Sequence, residues 1–545
     1  MLPRSVSVTV SPQTRPSGGL RPWQERALRK LDAWDGEPFL LSAAPGAGKT
    51  RPALVLAREL LRSRVVRRVA VVCPTTPLTR QWAEAAGRLG LHLVPDASEL
   101  RPPSDFDGVA VTYARAAASA TRWASQCSPG TLVIADEAHH LGDDLAWGTG
   151  FRTAFGATRR WLLLSGTPFR SDAMPIPGVT YDDGLARPDV SYSYADAVKD
   201  GICRPVTFIP YDGTLSWMSG DDLVEASFSD ALTGRDASRR YRTAISTDLG
   251  DGLPKILASA HERLLALRKG DHRDAGGLVI AADSTHARRI AKVLRETCGV
   301  TPTVVLHAEA RAHQKLQAFR TGREPWIVAV NMVSEGVDIP RLRVGVYATA
   351  AKTPLIFRQI IGRFVRTIQG RPAGEHSWVY LPGDPVLRVH AGEVETELRH
   401  VLRVVEDPAE GLLDEPAERQ RSEPTEELAF VPVAADVSPQ MALFGGGPPP
   451  PAAPPSPFLA PQAQAEEEPE DEVPAWERRA RLRDKRHGLV ASLRRLDGRS
   501  FREINAWLNR ETGVTRVDDA SIAQLERSIG LLLAELDRRS GAGRG

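Results

Sequence analysis

The segment Ser42 to Thr50, SAAPGAGKT, combines residue types that handle phosphate. The loop Pro45-Gly46-Ala47-Gly48 follows an apolar run and opens a helical stretch. Its glycines let backbone N–H groups curl around phosphate oxygens, and the helix N-terminus adds a favourable dipole. Lys49 would reach the β- and γ-phosphates of a nucleotide, and Thr50 would ligate Mg²⁺. Alanine (Ala43 or Ala44) stands where the usual G-x-x-x-x-G-K-[ST] spacing has its first glycine. The competing reading is a glycine-rich strand–helix turn with a stray lysine. A second element answers it: TLVIADEAHH is an apolar strand ending in Asp136 and Glu137. One carboxylate at a strand tip holds Mg²⁺ through water, and its neighbour orients and deprotonates the attacking water. Far downstream, Gln359, Arg363 and Arg366 fall three or four residues apart, which predicts one shared helical face. An arginine offered to the γ-phosphate from there stabilises charge in phosphoryl transfer, worth roughly 10³–10⁵-fold in rate. The bland alternative is a basic amphipathic surface helix.

These residues need sheets to hold them. From about Arg21 to Leu164, short apolar runs (PFLLSAA, VAVVCP, GVAVTY, TLVIADE, WLLLSG) alternate with helical stretches, the pattern of a parallel sheet with crossover helices. The pattern thins between about Met174 and Pro254 and resumes from Gly276 with GGLVIAAD, TVVLHA, WIVAVN, VGVYAT and SWVYLPG. That predicts a second α/β domain. From about Glu406 to Pro474, GGGPPPPAAPPSP and AEEEPEDEVP predict a disordered linker, because such composition buries too little apolar surface to fold. Three helical stretches follow.

The chain has 545 residues, enough for two or three domains, with 42% hydrophobic and 25% charged residues. A net charge of +2 says nothing of nucleic acid, so any basic footprint is local. The four cysteines, Cys73, Cys127, Cys203 and Cys298, lack metal-like spacing and read as reduced thiols. There is no signal-peptide-like start and no apolar stretch near eighteen residues, so the expectation is a cytoplasmic protein without a membrane span.

Taken in order, the motifs resemble those of the superfamily 2 helicases. Asp136-Glu137-Ala138-His139 resembles motif II in its DEAH form. Arg21-Pro22-Trp23-Gln24 resembles the Q-type motif, whose glutamine, here Gln24, reads adenine. Pro74-Thr75-Thr76-Pro77-Leu78-Thr79-Arg80-Gln81-Trp82 resembles motif Ia, and Ser165-Gly166-Thr167-Pro168-Phe169-Arg170 resembles motif III. Asn331 to Pro340, NMVSEGVDIP, resembles motif V, and Arg358 to Arg366, RQIIGRFVR, resembles motif VI. The likeness covers roughly residues 20 to 385. The combination is more similar to DNA-repair and restriction translocases, including the XPB-like group, than to the DEAD-box RNA helicases.

The resemblance implies two tandem RecA-like domains with ATP and Mg²⁺ between them, and a cycle of closure and opening that becomes stepping along nucleic acid, DNA favoured over RNA. It implies an α/β architecture with these bounds: a tail over 1–15, RecA-like domain 1 over 16–190, and a connector or insert over 191–255. RecA-like domain 2 then spans 256–405; beyond the resemblance, composition gives the disordered linker 406–474 and helical spacing a basic helical module over 475–545. The resemblance assigns Gly336 and Asp338 to the nucleotide site beside Gln24 and the loop residues. It places Thr75, Arg80, Thr112, Ser284 and Asn331 on the nucleic-acid backbone. The 212–253 stretch reads as either a DNA-contacting insert or a solvated linker. In the last module, Arg478, Arg479, Arg481, Arg483, Lys485 and Arg486 form a phosphate-binding face, a solvated helix face, or a docking site for a protein partner. His139 and His140 lack a third ligand for metal. A nonmotor nucleotide switch and an RNA helicase stand as the alternatives.

Overall fold

A computed structural model describes residues 19–541, except 144, 167–174, 183–184, 220–221, 233, 271, 307–308, 310–311, 331–338, 369–374, 405–430 and 440–472. The chain divides into two compact units. The first comprises residues 1–43, 48–191 and 457–545; the second comprises 192–456, with the loop tip 44–47 grouping with it.

The first unit is built on β1 (Phe39–Ala43), β2 (Arg68–Cys73), β3 (Leu93–Val94), β4 (Gly108–Thr112), β5 (Thr131–Ala135) and β6 (Trp161–Ser165). A short hairpin, β7 (Tyr181–Asp182) and β8 (Leu185–Ala186), precedes the edge strand β9 (Val190–Tyr192). The sheet order is β3-β4-β2-β5-β6-β1-β9, with parallel pairing from β3 to β1. Every residue of β1, β4, β5 and β6 is buried. Helices cover both faces, which is why these strands read as continuous apolar runs rather than alternating ones. Three helices matter to the site: α1 (Pro22–Asp32), α2 (Thr50–Arg62) and α3 (Thr76–Gly87). The strand order sets β6 between β1 and β5, so the loops leaving all three converge at the carboxyl edge, where open α/β sheets bind ligands.

The second unit repeats the principle with β10 (Val206–Ser219), β11 (Asp222–Ala226), β12 (Gly276–Ala281), β13 (Thr303–Val305), β14 (Trp326–Val330), β15 (Leu342–Ala348), β16 (Ser377–Pro382) and β17 (Val431–Pro439). Its order is β11-β10-β16-β15-β12-β14-β13, with β17 also on β10. Strands β12 to β16 pair parallel, and so does the first half of β10 on β16. The second half of β10 leaves the parallel sheet and pairs antiparallel with β11 and β17.

Two expectations are corrected here. The 212–253 stretch is not a solvated linker: Leu215 and Trp217 are fully buried, and the helix Gly234–Ala244 buries Arg240, Tyr241 and Ala244. Apolar alternation in Leu215-Ser216-Trp217 was the available signal, masked by polar neighbours. Nor is the whole 406–474 stretch without structure, because Val431–Pro439 forms β17. That segment has too few apolar residues for a core of its own. Its backbone is satisfied by β10 instead, and Ala435 and Val437 bury against the second unit.

The C-terminal helices Ala475–Asp497, Phe501–Thr512 and Ile522–Gly541 close around Val490, Leu493, Ile504, Leu508 and Leu532. Ser500 and Glu503 form a reciprocal capping box that fixes the start of the middle helix. This module belongs to the first unit. Asp105 Oδ2 accepts from the Ile522 N–H at 2.8 Å, and Arg516 pairs with Glu99 at 3.4 Å. The linker composition gave no reason to expect that contact. All four cysteines are free thiols. Among the described residues, no helix is long and apolar enough to cross a membrane.

Candidate nucleotide site

At the carboxyl end of β1 the chain turns through Ala44–Lys49 into α2. Gly46 and Gly48 hold φ of +80° and +89°, which a side chain resists. A Cβ on Gly48 would stand 3.0 Å from Gln24 Nε2. Gln24, buried on α1, explains that closeness. Its Nε2 donates to the Gly48 carbonyl at 3.0 Å, and its Oε1 accepts from the Arg21 N–H at 2.9 Å. One amide hydrogen and one oxygen lone pair are spent on bracing the loop, leaving one of each to offer an adenine edge.

Lys49 Nζ donates to the Ala43 carbonyl at 3.2 Å and lies 3.8 Å from Glu137 Oε1. Asp136 and Glu137 follow β5 directly. The Asp136 N–H donates to Val72, and the Ala138 N–H donates to Leu164, so the acidic turn is stitched to β2 and β6. Glu137 adopts φ +50°, a left-handed conformation uncommon outside glycine. Such strain at a candidate site is held by its surroundings. Asp136 takes three hydrogen bonds. Trp82 Nε1 donates to Oδ2 at 2.8 Å, the Glu137 N–H to Oδ1 at 3.1 Å, and the Tyr113 hydroxyl to the backbone carbonyl at 2.9 Å.

The electrostatics are unbalanced. Burial, reinforced by the Glu137 charge, pushes the Asp136 carboxyl up to about 6, against the pull of Lys49 and the Trp82 bond. Burial also works against Glu137, but Lys49, His139, His140 and the Gly166 amide outweigh it and hold that carboxyl below its ordinary value. Burial drives the His139 imidazole down to about 3, against the upward pull of the Glu137 charge. Two adjacent carboxylates thus face a single lysine. The excess negative charge at a strand tip suits a divalent cation completed by water and phosphate oxygens, and Thr50, the first residue of α2, follows Lys49 directly. Among the described residues, no cluster of three or more His, Cys, Asp and Glu gathers to hold a metal by protein ligands alone.

Of the residues expected on nucleic acid, Thr75, Arg80 and Thr112 gather in the first unit, at the ends of the paired strands β2 and β4. Thr75 stands at the N-cap position of α3 without a side-chain cap bond, Arg80 is exposed on that helix, and Thr112 spends its hydroxyl capping the next helix at Arg115. Ser284 is exposed at the start of the helix following β12 in the second unit. Asn331, Gly336 and Asp338 lie outside the described residues, as do Thr167 to Arg170 of the third motif.

Arg363 and Arg366 also belong to the second unit, but the expected shared helical face is corrected. The helix Pro354–Ile361 ends at its Gly362 cap. Arg363 sits in a buried turn, and Arg366 forms an isolated bridge with Cys203 while the Val365 carbonyl accepts from the Arg204 N–H. A glycine followed by β-branched Val365 stops the helix and lets an extended pairing take over.

The reading of the last module narrows as well. Arg479 is buried and donates to the carbonyls of Ala520 and Asp518; Arg486 is buried against Ser528 and Asn505. Arg478, Arg481 and Arg483 pair with Glu526, Glu477 and Asp518. Lys485 alone of the six has no partner among the described residues. The single-residue reading of motif Ia missed Trp82. Its signal was chemical: a buried indole N–H seeks an acceptor.

Comparison with known proteins agrees with this geometry. The family model described as type III restriction enzyme, res subunit, matches residues 17–170, and the helicase conserved C-terminal domain matches 261–367. Uncharacterized protein Rv2917 of Mycobacterium tuberculosis is 41% identical over 457 residues, covering 81% of this chain and 73% of that protein. DNA 3'-5' translocase XPB2 of Sulfurisphaera tokodaii is 24% identical, covering 64% of this chain and 78% of that protein. ATP-dependent RNA helicase dbp3 of Schizosaccharomyces pombe is also 24% identical, covering 72% of this chain and 63% of that protein. Two helicase-family models in tandem, each lying on a parallel α/β sheet, place the chain in the superfamily 2 helicases and translocases.

Proposed function

We propose that the chain is an ATP-driven motor that translocates along DNA or separates its strands. The observation that carries it is the grouping of Lys49, Asp136 and Glu137 at the carboxyl edge of one sheet, Lys49 and Glu137 being 3.8 Å apart. Lys49 and the loop amides bind the β- and γ-phosphates. Asp136 and Thr50 would hold Mg²⁺, which would supply positive charge for the phosphate oxygens. Glu137, kept ionised by Lys49 and its neighbours, orients the attacking water and accepts its proton. Gln24 braces the loop and selects adenine. Arg363 and Arg366 meet the charge that develops on the transferred phosphoryl group. The translocase relative and the motif combination support DNA; the RNA-helicase relative of equal identity makes RNA the outcome to exclude.

The test is the steady-state ATPase rate with single-stranded, duplex and branched DNA and with RNA. The largest stimulation is expected from a DNA. Stimulation by RNA alone overturns the substrate, and no stimulation by any of them overturns the motor.

A further inference from the structure

Asp136 is reached by side chains from two other elements, Trp82 at its carboxylate and Tyr113 at its backbone carbonyl. Each of those elements also carries a candidate nucleic-acid contact. Trp82, 2% exposed, projects from α3, whose N-terminal turn holds Thr75 and whose outer face holds Arg80. Tyr113, 1% exposed, directly follows Thr112 at the end of β4. One aromatic donor holds the carboxylate and the other holds the carbonyl of the same residue.

We propose that Trp82 and Tyr113 are positioning residues that set the Asp136 carboxylate for Mg²⁺ and transmit nucleic-acid engagement to it. This rests on the reading of the nucleotide site given above. Trp82 lies two turns from Thr75 on the same helix, so a strand seated on the start of α3 steadies that helix and holds the indole on the carboxylate. At 2.8 Å the bond tolerates little displacement; a shift of about 1 Å takes it out of hydrogen-bonding range. Without the indole the carboxylate keeps the Glu137 N–H on Oδ1 but loses the donor that fixes Oδ2, so its aim as a cation ligand is relaxed. Tyr113 resists rotation of the peptide itself, so the two donors fix different degrees of freedom. Partners that orient a metal ligand commonly affect metal affinity by about 10–100-fold.

The experiment is a Mg²⁺ titration of fluorescent ATP-analogue binding, with and without the nucleic acid that best stimulates the wild type. It uses full-length wild type, Trp82→Phe, Tyr113→Phe and Trp123→Phe. Trp123 is a fully buried indole of the same unit, packed on Phe155 away from Asp136, and serves as the packing control. In the wild type, nucleic acid should lower the Mg²⁺ midpoint. Trp82→Phe should raise that midpoint about 10-fold and abolish its response to nucleic acid, while analogue binding in EDTA stays within about two-fold. Tyr113→Phe should shift it less, in the same direction. Trp123→Phe should lower the melting temperature and leave the Mg²⁺ midpoint alone. Wild-type midpoint and response in both Trp82→Phe and Tyr113→Phe overturn the proposal. So does an equal shift in Trp123→Phe, which would make the effect one of packing. A wild type with no Mg²⁺-dependent binding at all sinks the nucleotide site itself, a separate failure.

Discussion

The nucleotide site and the C-terminal module both gather charge in one compact unit, and they treat it in opposite ways. In the module, buried Arg479 and Arg486 are fastened to carbonyls, Ser528 and Asn505, and their charged neighbours are paired across helices. At the carboxyl edge of the first sheet, buried Asp136 and half-buried Glu137 share one lysine, and Glu137 sits on a left-handed backbone. Charge that only supports a fold is neutralised within the fold. Charge that awaits a ligand is left over, and the fold is less stable for it until the ligand arrives.

The largest effect that sharpens this contrast is catalytic. Glu137→Gln should still bind ATP but lose about 10²–10⁴-fold in kcat, since the water loses its base. A near-normal kcat would remove that carboxylate from the chemistry. Arg363→Lys should lower kcat by about 10³-fold with little change in ATP affinity, because an ammonium lacks the planar fork. Single-turnover rates at saturating nucleic acid decide it.

In the module the expected losses are of stability. Arg479→Met strands the carbonyls of Ala520 and Asp518 and should cost the module about 2 kcal/mol. Hydrogen exchange over Phe501–Thr512 should accelerate accordingly, while Mg²⁺·ATP binding is retained.

Asp136→Asn carries the opposite sign. Burial and the Glu137 charge push the folded carboxyl up to about 6, above the ordinary carboxylate range, so the folded state favours the protonated form. Stability from that group is complete below about pH 4 and is lost as pH rises through 6. The neutral amide escapes this loss, and against that gain stands one lost bond, because its NH2 cannot accept from Trp82 or the Glu137 N–H as the second oxygen did. The variant should therefore be inactive but more stable than wild type at pH 8 in EDTA, by on the order of 1 kcal/mol, with the gain gone below pH 4. Melting curves at both pH values test it, and a destabilised variant at pH 8 would undo the contrast drawn above. Smallest of all, Arg481→Ala breaks an exposed pair with Glu477 and should change stability by less than about 0.5 kcal/mol.

What the sequence alone determined is the chemistry that must be local. A glycine loop ahead of Lys49 and Thr50, and two acids closing an apolar strand, have to be neighbours in the chain because one turn presents them. Fully buried parallel strands likewise announce themselves as unbroken apolar runs. The tertiary structure decided everything that depends on a partner distant in sequence. Trp82 and Asp136 are brought together by the β2–β5 pairing, and no spacing rule could join them. Val431–Pro439 looks like linker until β10 supplies its hydrogen bonds. The basic face of the last module dissolves once its arginines find acceptors on other helices. The helix expected to carry Arg366 stops at Ile361 because residues 203–204 offer the chain an extended partner instead. Local propensity differs between such outcomes by about 1 kcal/mol per residue, and a long-range hydrogen bond or a buried side chain outweighs it.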